Sequence, residues 1–410
     1  MQTTRRPLLT QMPYLLAVLV LFLAAPLAAQ KKDEFKDITK EDPFTKGDPA
    51  KMKALGVVRY RPFPWADHVS TADVDKVLGE DRILWMETEH FRFGFNMKSG
   101  KLPEESKSRK DVYAECKRLN KKNRKIPKKP KRLSPWLHLH LYAQRCEQAY
   151  AEFEQLVGVT ETTFDADSRE VGSGPYLGLP DKFLVLLFQK KSDMARYMKR
   201  YCDLEVDDSM RYFHRETKQL LLSVSADGME GFDPQGIHGH VLYGLWQNLL
   251  NGYRGYHFPL PMWFSTGLAH YYSRRVKTKF VNARVQDTES VDQDTQNKWV
   301  QKVFRRSRHE GATIPFAKLN DMHDWRTFGF HAHTQCWSRL DFLMDLDPQK
   351  VGLVVDRLKR VPASGDWEGQ GAALRRMMPK LLFDAFEMNP EAFDQRWRQW
   401  VLKVYPKRKD

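Results

Sequence analysis

The chain has 410 residues, 41% of them hydrophobic, enough to bury at least one sizeable core with room for a smaller satellite unit. Its 67 Lys+Arg outnumber 52 Asp+Glu, giving a net charge of +15 that favours acidic partners without naming one. Four cysteines without any C-x-x-C pair exclude zinc-ribbon and thioredoxin-type functions, and the chain carries no P-loop, no G-x-S-x-G elbow and no dinucleotide-spaced glycines.

The first 29 residues have the form of a secretory signal: Arg5 and Arg6 precede an apolar run, and Leu27 and Ala29 suit cleavage before Gln30. The run is short for a bilayer span, and no later stretch is long and apolar enough, so an exported chain with no span after cleavage is expected. Residues 30–56 are polar and poorly periodic and read as a flexible tether. Residues 57–170 follow as a docking segment, a strand around Phe91, Phe93 and Phe95, a basic loop and a long helix.

In that loop, ten of the sixteen residues from Lys117 to Arg132 are basic, broken by Pro127 and Pro130. No aromatic side chain is interleaved for base stacking, so nucleic acid is not the expected partner. A solvated loop is the plain reading, and an acidic polymer of the cell envelope the alternative. Cys116 and Cys146 flank this stretch, and an exported chain permits their pairing in a disulfide. Ser134 and Pro135 start the long helix as N-cap and N1 residues. On it His138 and His140 point to different sides.

The last unit, 171–405, begins with a buried strand, "DKFLVLLFQ", then a short helix and a hairpin whose second arm runs from Leu220 to Val224. Next come "GIHGHVLYGLWQ" with His238 and His240, a connector containing His257, and the helix "MWFSTGLAHYYSRRV". Helices carrying His331 and His333, then Val351 to Leu358, then Phe393 to Val404, complete the chain.

Strand, hairpin, histidine helix and a "P-x-W-x-x-x-G-L-A" helix in this order resemble the peptidase MA-like zincins of the gluzincin kind, found among exported bacterial proteins. The matching pieces run from "TEHFRFGF" (88–95) to "AFDQRWRQWV" (392–401). The resemblance implies an α+β, helix-rich, zincin-like metallopeptidase fold, with a small mixed sheet packed on helices. In active members the first helix carries H-E-x-x-H, two zinc ligands and a general base, and the second begins E-G-L-A with the third ligand. His238 then stands at the first ligand, Gly239 at the base, Leu242 at the second ligand and Thr266 at the third. The 3.6-residue period puts His238 on one face with Leu242, Leu245 and Leu249, an inward face, and His240 about 200° away.

Three of the four positions lack the required chemistry in this frame, and one imidazole does not replace three ligands. The expectation is therefore an exported, catalytically inactive metallopeptidase-like protein with a binding or scaffold role at the cell envelope. It needs no cofactor, and its partner is a peptide, a protein or an acidic envelope polymer. The alternative is a metal-dependent hydrolase or peptidase whose site is rebuilt for zinc from His238, His270 and one of His331 and His333. Glu87, Glu89 and Glu216 are further acid–base candidates that the sequence does not pair.

Overall fold

The computed structural model describes residues 41–408, except 81, 207, 228, 230–233, 257–259, 277–297 and 362–366. In chain order the elements that shape it are α1 (Pro49–Leu55), β1 (Arg59–Tyr60), β2 (Pro64–Ala66), β3 (Val69–Ser70), α2 (Thr71–Leu78), β4 (Leu84–Glu87), β5 (Phe91–Asn96), α3 (Ser106–Lys122) and α4 (Pro135–Val157). They continue with β6 (Phe183–Phe188), α5 (Lys191–Cys202), β7 (Met210–His214), β8 (Gln219–Ser225), α6 (Pro234–Gly252) and α7 (Met262–Ser273). The C-terminal helices are α8 (Trp299–Ser307), α9 (Phe316–Asp321), α10 (Phe330–Leu346), α11 (Pro348–Lys359), α12 (Trp367–Phe386) and α13 (Pro390–Val404). The chain is thus α+β and helix-rich, with a mixed six-stranded sheet.

The sheet runs β1-β4-β5-β6-β8-β7. Its centre is parallel, β5 to β6 to β8, and its flanks are antiparallel. Parallel strands are covered on both faces, which is why "FLVLLF" of β6 is apolar throughout and wholly buried. Phe183, Val185 and Leu187 belong to the core under α4 and α6. Leu184, Leu186 and Phe188 belong to a second core with α2, α5 and the small β2–β3 sheet. Each such side chain contributes about 1.5–3 kcal/mol by leaving water.

Helix α4 starts as its sequence requires, with Ser134 accepting from the Leu137 amide at 3.3 Å and Pro135 in the first turn. It packs on α6, while β5 pairs with β6 from Phe91↔Phe183 to Asn96↔Phe188. The expected division at 170/171 therefore cuts through one sheet and one core. Just after it lies a tight loop in which the Gly172 amide donates to the Gly178 carbonyl at 2.7 Å.

The tether also ends earlier than expected. Asp42 is 1% exposed, accepts from the Tyr60 hydroxyl at 2.6 Å and lies 3.0 Å from His140 Nε2. Burial alone would raise its carboxyl, but His140, Tyr60 and the Phe44 amide hold it well below the usual carboxylate range. Residues from Asp42 on are docked, because polar side chains that look solvated find partners far away in the sequence.

The basic stretch differs from a plain loop too. Its first six residues close α3, and the rest is pinned by Asn120, whose amide donates to the Ile126 carbonyl at 2.6 Å, and by fully buried Ile126.

Candidate functional site

Helix α6 is buried on almost every side, so three faces must be told apart by contact. One face lies on the sheet, where a Cβ at Gly244 would fall 2.5 Å from the Leu222 side chain of β8. A second face looks to α7. There Gly239 lies under the Ser273 carbonyl, and the phenol of Tyr243 faces Thr266 and Gln247. The Tyr243 and His270 ring centroids are 4.7 Å apart. The third face carries His238 and Leu242, which line a cavity of about 290 Å³ with residues of α3 and α4.

On the α7 side of α6 the rings of Tyr243 and His270 meet, with Gly239 one turn before Tyr243. Of the stripe shared by His238, Leu242, Leu245 and Leu249, His238 packs on Tyr142 of α4, and His238 and Leu242 line the cavity. In a helix buried all round, such a stripe does not identify the face turned to α7.

Helix α7 sits close to α10 because a Cβ at Gly267 would lie 2.6 Å from the Cys336 carbonyl oxygen. This closeness brings His270 Nε2 to 3.0 Å from His333 Nδ1, with both residues fully buried. One ring donates and the other accepts. Trp299 lies 4.9 Å from His270 and Phe328 4.9 Å from His333, ring to ring. Burial, then His333 and Arg274, hold His270 well below the ordinary histidine range.

The other expected ligands do not join them. His331 leaves the same helix on another side and contacts the Arg306 guanidinium at an exposed position. His238 packs edge-on to Tyr142, 6.3 Å between centroids. His257 lies outside the described residues. Among the described residues no group of three or more His, Cys, Asp or Glu side chains is placed to hold a metal ion. Thr266 and Tyr243 are oxygen donors of poor zinc affinity beside a two-histidine pair, a set that does not fit the three protein ligands of a catalytic zinc.

In the α3–α4–α6 cavity, Arg145 makes a bidentate pair with Glu115 at 3.0 and 2.7 Å, and Arg275 reaches Glu152 at 3.3 Å. Trp246 and Tyr272 stack in its wall with centroids 3.4 Å apart. Burial, then Arg145 and His138, keep the His238 imidazole neutral. The expected disulfide beside it is absent. Cys116 and Cys146 are free, fully buried thiols packed in the core as small apolar groups, and burial pushes Cys116 up to about 11. Cys202 and Cys336 are likewise free and buried.

The carboxylates considered from sequence are held in ion pairs or exposed. Glu87 accepts from Lys182 at 2.7 Å and Arg59 at 2.8 Å, and these outweigh the burial that would raise it. Glu216 pairs with His68 at the surface, and Glu89 is exposed.

What the sequence did not bring forward is the strip formed by β7, Tyr243 and Tyr256. Strand β7 is the sheet's outer edge, bonded only to β8. Phe213 of β7 stacks on Tyr256 with centroids 4.5 Å apart, and Arg211 is close enough to both Tyr243 and Tyr256 to favour their ionised forms slightly. Burial nevertheless raises Tyr243 to about 12. The signal available beforehand was the alternation in "RYFH", which marks an edge strand but not its neighbours. No protein-family model and no curated protein matches this chain.

Among the described residues no helix is long and apolar enough to cross a membrane.

Proposed function

We propose that this protein is an exported, zincin-like domain that has given up zinc chemistry and binds an extended peptide or protein segment along β7. The observation that carries the reading is the meeting of α6 and α7 through the rings of Tyr243 and His270, whose centroids are 4.7 Å apart. A phenol and an imidazole meet between the two helices where a zinc peptidase of this kind would hold its metal. The order of strand, hairpin, α6 and α7 supports the zincin-like fold, and the N-terminal signal-like segment supports export.

Strand β7 offers the outer row of its backbone N–H and C=O groups to an added strand, the mode in which peptides pair with a sheet edge. The Phe213–Tyr256 stack gives such a segment an apolar contact, and Arg211 a cation beside it. Without a metal to activate water, the bound segment is held and not cleaved.

The test is a binding screen of the full chain against unstructured labelled peptides, with peptide integrity followed by mass spectrometry. Binding at micromolar strength, weakened severalfold by Phe213→Ala and leaving the peptide intact, is expected. Metal-dependent cleavage of the peptide would instead establish the hydrolase alternative.

A further inference from the structure

The ten basic residues between Lys117 and Arg132 are all exposed, and the residues between them are the anchors: Leu119, Asn120, Asn123, Ile126 and Pro130 are buried. Asn123 donates to the Phe44 carbonyl at 3.0 Å, and Arg132 to the Ser99 carbonyl at 3.2 Å. Leu133 pairs with Gly100 through backbone bonds of 2.8 and 3.0 Å. Among the described residues none of the ten forms an ion pair. The stretch is therefore a fixed surface of like charge, built at a cost in self-repulsion that a solvated linker would not carry.

We propose that this surface, the last turns of α3 with residues 123–132, docks on an anionic lipid bilayer. Charge complementarity selects the partner class: seven lysines to three arginines make compact point charges, suited to a mobile layer of headgroups more than to bidentate recognition. The run has no aromatic side chain for stacking bases, and none of the large exposed hydrophobic residues lies in it, so the contact is electrostatic and superficial. The place where the chain enters the fold points the same way. Asn123 holds Phe44, and residues 30–43 are all that separate this point from the apolar run ending at Ala29. Those fourteen residues span at most about 50 Å when extended, so in a chain that keeps its N-terminal run, insertion of that run would hold the basic face within reach of the headgroups. The inference stands apart from the peptide reading of β7.

The test measures partition of the full chain onto vesicles of phosphatidylcholine, with or without about one third phosphatidylglycerol. The apolar N-terminal run contributes to both vesicle types, so the ratio between them reports the basic face. A preference of about tenfold or more for the anionic vesicles is expected, falling steeply between about 50 and 300 mM salt. Replacing Lys121, Lys122, Lys125, Lys128 and Lys129 together by Gln should abolish that preference without lowering the unfolding midpoint, which relief of self-repulsion raises. Equal partition of the unaltered chain onto both vesicles would overturn the proposal, as would an undiminished preference in the five-fold variant. Binding to double-stranded DNA or a polyanionic polysaccharide with no vesicle preference would likewise overturn it and make the partner a soluble polyanion.

Discussion

Nε2 of His270 and Nδ1 of His333 are 3.0 Å apart, a direct hydrogen bond between two fully buried imidazoles on neighbouring helices. The approach depends on Gly267, one turn before His270, which lets α7 touch the backbone of α10. Two residues expected as metal ligands thus bond directly to each other and tie α7 to α10.

The dependence on Gly267 gives a first expectation. In Gly267→Ala the new methyl would meet the Cys336 carbonyl, a backbone atom that cannot rotate away. Overpacking of this kind costs about 1–3 kcal/mol. Denaturant unfolding monitored by tryptophan fluorescence should show a loss in that range, whereas an unchanged midpoint would mean the helices are not in close contact.

Acid should weaken the fold before its carboxylates titrate. His138, His238 and His270 are each buried and held neutral, His138 at about 3 and the other two well below the ordinary range. Their folded-state pKa values lie below the unfolded value near 6.5, so below that pH the unfolded chain takes up protons that the folded chain refuses. Stability is therefore full above about pH 6.5 and falls as pH drops toward 3, by up to about 1.4 kcal/mol per pH unit for each histidine. Chemical denaturation at pH 7.5 and 5.0 should differ by at least about 2 kcal/mol. Equal stability at the two values would show that these imidazoles are not held neutral.

The thiols carry a separate expectation. All four cysteines are free and buried, with Cys116 raised to about 11 and Cys202 to about 12 by burial. Native protein should react slowly with an alkylating reagent, and protein unfolded without reductant should take up four equivalents. Two equivalents in the unfolded, unreduced chain would reveal a disulfide and contradict this placement.

The parts of the fold that were legible in the sequence are those decided locally. Ser134 and Pro135 announce α4, the apolar run at 183–188 announces a doubly covered strand, and the turn between Phe213 and Leu220 announces a hairpin. The rest was set by contacts between distant residues. Asp42 finds His140 ninety-eight positions on, so a polar segment that resembles a tether is part of the body. Asn120 and Ile126 pin a stretch whose charges all point outward. An even number of cysteines carries no information on which ones meet.

The site shows the same limit. Thr266 and His270 were identified because their helix has a recognisable beginning, whereas Tyr243, whose ring lies 4.7 Å from that of His270, was not. On a helix that is exposed on one side, the apolar stripe names the inward face. On α6, where sheet, α4 and α7 each cover a face, three stripes compete, and the ring contact of Tyr243 with His270 marks the one turned to α7.

The central proposal is that α6 meets α7 through Gly239 and Tyr243 and that this meeting binds no zinc. Its most direct test is the zinc content, by elemental mass spectrometry, of untagged protein in two forms. The unaltered chain should carry far less than one zinc per molecule. The chain with Gly239→His, His240→Glu, Tyr243→His and Thr266→Glu restores the ligand and base types in this frame and should bind about one. Stoichiometric zinc in the unaltered chain, lost on His270→Ala, would contradict the account. So would zinc binding by a chain rebuilt in the His238–Leu242 frame when the Gly239–Tyr243 rebuild binds none.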